Sequence, residues 1–254
     1  MKPGLTVSPT PADRASISVI IPCFNQARFI GEAIDSVLAQ TCPPSEILVV
    51  DDGSQDSTAE IVRQYPTVRY IPTPHQGLVA ATRNRGVTEA SGAYLVFLDG
   101  DDRLLPHHLD ISLKAFRDRP DAALVCGLFR AFGDEHWMTH HVCDPDDSYG
   151  TILRHPSLAM ILTAMFRRDI LAQAGGFSAV KSLNGCDDPV SAEHRLHSKQ
   201  SSRNHRRMLM ASMTVYRRQR SYVRAHGQYT TDYATSKRVY QRCWGDALIW
   251  TSSK

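Results

Sequence analysis

Three short apolar runs in the first hundred residues, each halted by a turn or a cluster of acids, limit what this chain can fold into. Ile17 to Ile21 (ISVII) is closed by Pro22. Glu46 to Val50 (EILVV) runs into Asp51-Asp52-Gly53, and Ala93 to Leu98 (AYLVFL) into Asp99-Gly100-Asp101-Asp102. Such runs have the pattern of strands buried on both faces. Helical patterns lie between them. From Ala27 to Gln40 the apolar positions Phe29, Ile30, Ala33, Ile34, Val37 and Leu38 form one stripe, stopped by Pro43 and Pro44. Ser54 or Ser57 can cap a second helix running to about Tyr65, and a third runs from about Leu78 to near Gly92. Val68 to Ile71 is a further short strand between prolines. Strands separated by single helices imply βαβ units and a parallel sheet. Ligands of such sheets bind beyond the carboxyl ends of the strands, so chemistry is expected at Pro22 to Asn25, Asp51 to Gly53 and Asp99 to Asp102.

Beyond residue 103 the patterns are coarser. Pro106 to Arg117 reads as a helix, Ala122 to Phe132 as one strand or two with a bulge, and Asp134 to Gly150 as a loop. Ser157 to Ala174 is apolar and partly helical before Gly175-Gly176-Phe177, and Phe116, Phe129 and Phe132 are expected in the core. A length of 254 residues suits one large domain or one and a half. With 42% apolar and 22% charged residues, disorder throughout, collagen and a disulfide mini-scaffold are excluded. No apolar run approaches the roughly 20 residues of a membrane span, and residues 1–15 lack the apolar core of a secretory signal, reading instead as a flexible leader. The six cysteines form no C-x-x-C pair, which argues against a zinc ribbon or redox motif. Free thiols and a cytoplasmic location are expected.

The acids at the strand ends carry the chemistry. Three carboxylates at the end of an apolar strand are costly to bury unless a cation compensates. Asp99-x-Asp101-Asp102 therefore reads as a Mg²⁺ or Mn²⁺ site for a diphosphate, since a hard ion takes carboxylate oxygens and leaves positions for phosphate. An exposed acidic turn capping the next helix is the plainer alternative. Carboxylates of Asp51-Asp52 can accept from a nucleobase N–H or a ribose hydroxyl; a glycine turn with a helix cap is again the alternative. The chain has no G-x-x-x-x-G-K-[ST], and no G-x-G-x-x-G follows the first strand, so neither a P-loop nor a dinucleotide-binding unit is indicated. His136, His140 and His141 lack the H-E-x-x-H pattern of a zinc site, and His107-His108 reads as a helix start rather than a phosphate contact.

The strings ISVIIPCFNQARFIGEAIDSVLAQT, EILVVDDGSQDST, GLVAATRNRG and AYLVFLDGDD, in this order and spacing over about residues 16–130, resemble the inverting glycosyltransferases of family 2. MFRRDILAQAGGF (165–177) resembles that family's segment ahead of its catalytic loop. The resemblance implies an α/β, GT-A Rossmann-like, mostly parallel sheet with flanking helices over residues 16–190. It also implies a nucleotide-diphospho-sugar donor and a saccharide or lipid-linked acceptor. Position by position, Pro22 to Asn25 would line the nucleotide and Asp52, with Asp51 beside it, would read the base. Arg83 would lie near the nucleotide and phosphates, Asp99 on the ribose side, and Asp101 or Asp102 on the metal. The base that deprotonates the acceptor would be Asp188, with Asp187 in reserve.

The C-terminal part departs from this pattern. The net charge of +3 divides into −7 for residues 1–190 and +10 for 191–254. The latter stretch is dense in Arg, His, Ser and Gln with little apolar periodicity. It reads either as a basic tail in peripheral contact with the inner face of a membrane or with an acidic acceptor, or as the product of a disrupted reading frame, which its composition favours. The second reading would leave a nucleotide-sugar-binding remnant without turnover. A nucleotidyltransferase is disfavoured because Cys23-Phe24-Asn25-Gln26 is not a glycine-rich basic loop. No nucleic-acid partner is expected, since the basic charges lie on no recognisable module.

Overall fold

The computed structural model describes residues 16–120, 122–127, 130–133, 164–173, 175–177 and 192–196. Strand β1 (Ile17–Cys23) is followed by α1 (Ile30–Leu38), β2 (Glu46–Asp51), α2 (Thr58–Val62), β3 (Val68–Pro72), α3 (Val79–Glu89) and β4 (Tyr94–Phe97). Then come β5 (Arg103–Leu104), α4 (His108–Asp118), β6 (Leu124–Cys126), β7 (Arg130–Gly133), β8 (Ala164–Arg167), α5 (Arg168–Gln173) and β9 (Ala192–Leu196). Six strands form one sheet in the order β3-β2-β1-β4-β8-β6, and β5-β9-β7 form a second. In the large sheet β3, β2, β1 and β4 are parallel, while β8 runs antiparallel to both its neighbours. This is the expected mostly parallel α/β architecture.

Both faces of the large sheet are covered, which is why its strands read as unbroken apolar runs. Ile17, Val19 and Ile21 of β1 join Ile30, Ala33, Ile34 and Val37 of α1 and Leu109, Leu113 and Phe116 of α4 in one cluster. Ile20 points the other way, with Leu48, Val50, Leu95, Phe97 and Leu171. On that face α3 comes so close that a Cβ on Gly86 would lie 2.4 Å from Ile20 Cγ2. Phe116 and Phe132 are buried as expected; Phe129 lies outside the described residues. The buried Gln40 links α1 to α4: its Nε2 donates to the carbonyls of Ser36 and Leu105, and its Oε1 accepts from the N–H of Leu109.

Several elements differ from expectation. Strand β1 does not stop at Pro22 but continues to Cys23, with Pro22 paired to Val50. The carbonyl of Ile20 accepts from the N–H of Leu98 on the β4 side, and that of Cys23 from the N–H of Asp52 on the β2 side. By alternation the position of Pro22's missing N–H faces the β4 side, where the ladder has already ended, so the proline forfeits no bond. Ala122 to Phe132 forms two strands in different sheets, β6 and β7. Residues 164–167, expected within a partly helical segment, are the antiparallel strand β8. Its Ala164 and Met165 are buried against β4 and β6, and a short apolar run does not by its period distinguish strand from helix. Within the basic C-terminal stretch, residues 192–196 form β9, pairing with β5 and β7. No helix among the described residues is long and apolar enough to cross a membrane.

Candidate active site at the strand ends

Connections from β1 lead to β2 on one side, and the chain returns to β4 on the other. The carboxyl ends of β1 and β4 therefore flank the point at which strand order reverses, where open α/β sheets hold ligands. The β1 loop is held rigidly there. Asn25 adopts φ +52°, a left-handed conformation that asparagine tolerates. Its N–H donates to Ser54 Oγ (2.8 Å) and its Oδ1 accepts from the N–H of Gln55 (2.8 Å). Next along the loop, the N–H of Gln26 donates to Thr58 Oγ1 and that of Ala27 to Asp56 Oδ2. Burial opposes ionisation of Asp56, but these bonds, with those from Thr58, outweigh it and hold its carboxyl below the usual range.

The two acids ending β2 have different partners. Asp51 Oδ1 accepts from the N–H and hydroxyl of Ser54 (3.0 and 2.5 Å), and its Oδ2 from the hydroxyl of Tyr70 (2.5 Å). Asp51 thus binds the β2 turn to β3. Burial and the bond to Asp51 raise the Tyr70 phenol well above its ordinary value. Asp52, also buried, accepts the N–H of Gln76 on Oδ1 and that of Gly77 on Oδ2, both at 2.8 Å. Asp52 therefore fastens the β3–α3 loop across the end of β2. Gly53 sits at φ +75°, and a Cβ on it would lie 3.0 Å from the backbone N of His75, so the β2 and β3 loops meet at van der Waals distance.

The acidic turn after β4 reaches the same place. Gly100 allows this approach, since a Cβ there would lie 3.2 Å from both Cys23 Cβ and Gln26 Cγ. The order β2-β1-β4 thus puts the β1 loop between Asp52 and the Asp99–Asp102 turn, at one end of the sheet. Arg83 is entirely enclosed, and its Nη2 donates to Asp99 Oδ1 at 2.8 Å; the Asp99 side chain is 28% exposed. What the pair presents to the crevice is accordingly Asp99. Asp102 is buried and Asp101 partly exposed. Their oxygens suit a hard divalent ion. Among the described residues no three His, Cys, Asp or Glu side chains converge in a metal-holding arrangement. Burial and then the Asp51, Asp56 and Asp52 carboxylates push the Cys23 thiol far up, which disfavours its thiolate.

Two contacts at the site were not foreseen in the sequence. Asn84, beside Arg83 on α3, pairs with the backbone of Phe177: its Nδ2 donates to the Phe177 carbonyl and its Oδ1 accepts the Phe177 N–H, both at 2.8 Å. The R-N-x-G and G-G-F strings, separate in sequence, are thus one contact. The half-exposed ring of Phe24 stacks on His75, with centroids 4.2 Å apart and planes 22° from parallel. The aromatic within P-C-F-N was the signal for Phe24; His75 had none. Asp187 and Asp188 lie outside the described residues.

Comparison with known proteins agrees with this arrangement. The family model described as glycosyl transferase family 2 matches residues 18–175. The chain is 49% identical over 92 residues to the glycosyltransferase AglE of Haloferax volcanii, covering 34% of this chain and 30% of that protein. It is 36% identical over 114 residues to the chondroitin synthase of Pasteurella multocida, covering 43% and 12%. It spans less than a third of the length of such curated relatives. Its fold is similar to that of S. aureus TarS 1–349 in complex with UDP (TM-score 0.58, 19% identity, 78% of this chain and 64% of that one). It is also similar to the mannosyltransferase PcManGT of Pyrobaculum calidifontis in complex with GDP-Man and Mn²⁺ (TM-score 0.59, 19% identity, 99% and 79%). With the family's model matching well over half its length, the chain belongs to glycosyl transferase family 2.

Proposed function

We propose that the chain is an inverting glycosyltransferase that moves a sugar from a nucleotide-diphospho-sugar to an acceptor hydroxyl, in polysaccharide or glycolipid assembly. The observation that carries this reading is the convergence of Asp52, after β2, and of Asp99 and Asp101, on the turn after β4, on either side of the β1 loop. The structural neighbours are in complex with UDP and with GDP-Man and Mn²⁺, which favours the same donor class. Pro22 to Asn25 line the nucleotide, and Asp52, with Asp51 behind it, frames the base. Asp99, held by Arg83, faces the ribose and phosphates. Asp101 and Asp102 would hold a Mg²⁺ or Mn²⁺ ion, which when bound neutralises the departing diphosphate. Asp188, with Asp187 in reserve, takes the proton from the acceptor hydroxyl. That oxygen bonds to the anomeric carbon as the bond from carbon to the diphosphate oxygen breaks, and the configuration inverts. The acceptor is a saccharide or a lipid-linked sugar, met in the cytoplasm or at the inner face of a membrane that the basic segment 191–254 contacts.

Calorimetric titration of UDP and GDP with and without Mn²⁺ tests the donor site. Wild type should bind one of them more tightly with the ion, and Asp101→Ala should lose that gain. Equal binding by both proteins, with or without Mn²⁺, removes the site. Binding without sugar transfer favours the remnant reading instead.

A further inference from the structure

Helix α3 and strand β4 each hold two things. Arg83 of α3 donates to Asp99, which follows β4. One residue further along α3, the Asn84 amide binds the backbone of Phe177 at two points, its Nδ2 donating to the carbonyl and its Oδ1 accepting the N–H. From the other side the Phe177 ring meets Phe97 of β4 edge-on, with centroids 5.0 Å apart and planes 88° from parallel. The residue at which the chain leaves the G-G-F turn is thus fixed to the same two elements that fix Asp99. The turn is shaped for this contact. Gly175 and Gly176 cap α5: their N–H groups donate to the carbonyls of Ala172 and Leu171, and both are left-handed, at φ +83° and +71°. A Cβ on Gly176 would lie 2.7 Å from Asn84 Oδ1, whereas one on Gly175 would meet nothing within 4 Å. Asparagine is a poor helix former, and here its amide serves a residue 93 positions away instead of its own helix.

We propose that Asn84 is a positioning residue for the acceptor side of the reaction: by clamping Phe177 to α3 beside Arg83, it holds the root of the segment that carries the acceptor base in register with the donor at Asp99. The inference rests on the transfer reading above, with Asp188, eleven positions after Phe177, as the base. A single hydrogen bond would leave Phe177 a pivot. Two bonds, to its N–H and its carbonyl, fix both its place and the direction in which the chain departs. A segment tied at its root has fewer placements to sample than one that swings from the end of α5. A proton acceptor works only within hydrogen-bond reach of the hydroxyl it serves. Asn84 acts through Phe177 and not on a substrate, so its effect falls on transfer while donor binding, which Asp52, Arg83 and Asp99 serve, is left as it was.

The test measures release of UDP or GDP from UDP-Glc, UDP-GlcNAc and GDP-Man in the presence of Mn²⁺, with water and with octyl glucoside as acceptors. Calorimetric titration of UDP and GDP runs beside it, on wild type, Asn84→Ala, Asn84→Asp, Gly176→Ala and Gly175→Ala. A base held off line costs on the order of ten- to hundredfold in rate. Asn84→Ala loses both bonds, and Asn84→Asp sets a carboxylate against the Phe177 carbonyl. Both should lose kcat by about that factor, while nucleotide affinity and donor KM stay within about twofold of wild type. Gly176→Ala should do the same by crowding the amide. Gly175→Ala strains the same turn without reaching the amide, so it should lower the thermal midpoint and keep kcat within about twofold. Wild-type kcat in the Asn84 variants overturns the inference. So does a loss of nucleotide affinity as large as the loss of kcat, which would place Asn84 in the donor site. So does a Gly175→Ala protein that loses as much kcat as Asn84→Ala, since turnover would then follow the stability of the turn. A wild type that binds a nucleotide but releases it from none of the three donors overturns the transfer reading, and the inference with it.

Discussion

Acid should destabilise this protein through one buried histidine well before its carboxylates are titrated. His108 opens α4 and is 5% exposed. Burial lowers its pKa from 6.5 to about 4. The positive end of the helix acts in the same direction, since a cation in the first turn is unfavourable. A histidine whose folded pKa is depressed stays neutral in the native state while the unfolded chain takes up a proton. Its contribution is therefore complete above pH 6.5 and is lost as pH falls from there towards 4. At about 1.4 kcal/mol per pH unit the full loss is about 3 kcal/mol, of which about 2 kcal/mol is gone by pH 5. Urea unfolding at pH 7, 6 and 5 on wild type and His108→Gln measures it. The variant will be weaker at pH 7 because it packs less well, but its stability should fall by about 2 kcal/mol less than that of wild type between pH 7 and 5. Parallel curves for the two proteins would refute the argument. The loss falls on the α1–α4 junction that Gln40 bridges, just downstream of the acidic turn, so nucleotide binding should weaken with it.

Two further outcomes follow from close contacts away from the crevice. Gly86→Ala puts a methyl group 2.4 Å from Ile20 Cγ2; crowding of about 1–3 kcal/mol should exceed the roughly 1 kcal/mol gained in helix propensity. Chemical denaturation should show net destabilisation, smaller in the Ile20→Ala background, and equal costs in both backgrounds would count against the contact. Burial opposes ionisation of Glu46, but bonds from Ser18 Oγ (2.6 Å) and from the N–H and hydroxyl of Ser91 (2.6 and 2.8 Å), with Gly92, outweigh it and hold its carboxyl below the usual range. Its stabilisation is present above about pH 4.5 and disappears as pH falls through the lowered value. Glu46→Gln should cost about 1 kcal/mol at pH 7 and less at pH 3, as read by thermal unfolding at both values.

The half of the fold that frames the crevice was legible because strands covered on both faces leave unbroken apolar runs, and the acids that follow them mark the ends. Tertiary partners were not legible. Nothing local distinguishes Asp51, whose oxygens serve Ser54 and Tyr70, from Asp52, which closes on Gln76 and Gly77. Arg83 stood out in its motif, but its enclosure behind Asp99 depends on α3 lying flat on β1 at Gly86. Residues 164–167 defeated a reading by period because four residues between two strands carry too little of any repeat. Asn84 and Phe177 are 93 residues apart, and no spacing rule connects an amide to a backbone at that distance.

Pro22 has a consequence for the crevice itself. A parallel sheet gains by zipping neighbouring strands to their tips, and each further rung between β1 and β4 would narrow the space a ligand needs. The ladder ends before this position, and with no hydrogen to offer on that flank the imino acid gives it no donor with which to extend, so the gap is reinforced by covalent structure. Any other residue at this position would restore a donor facing the opening, and with it a standing invitation to pull the sheet shut.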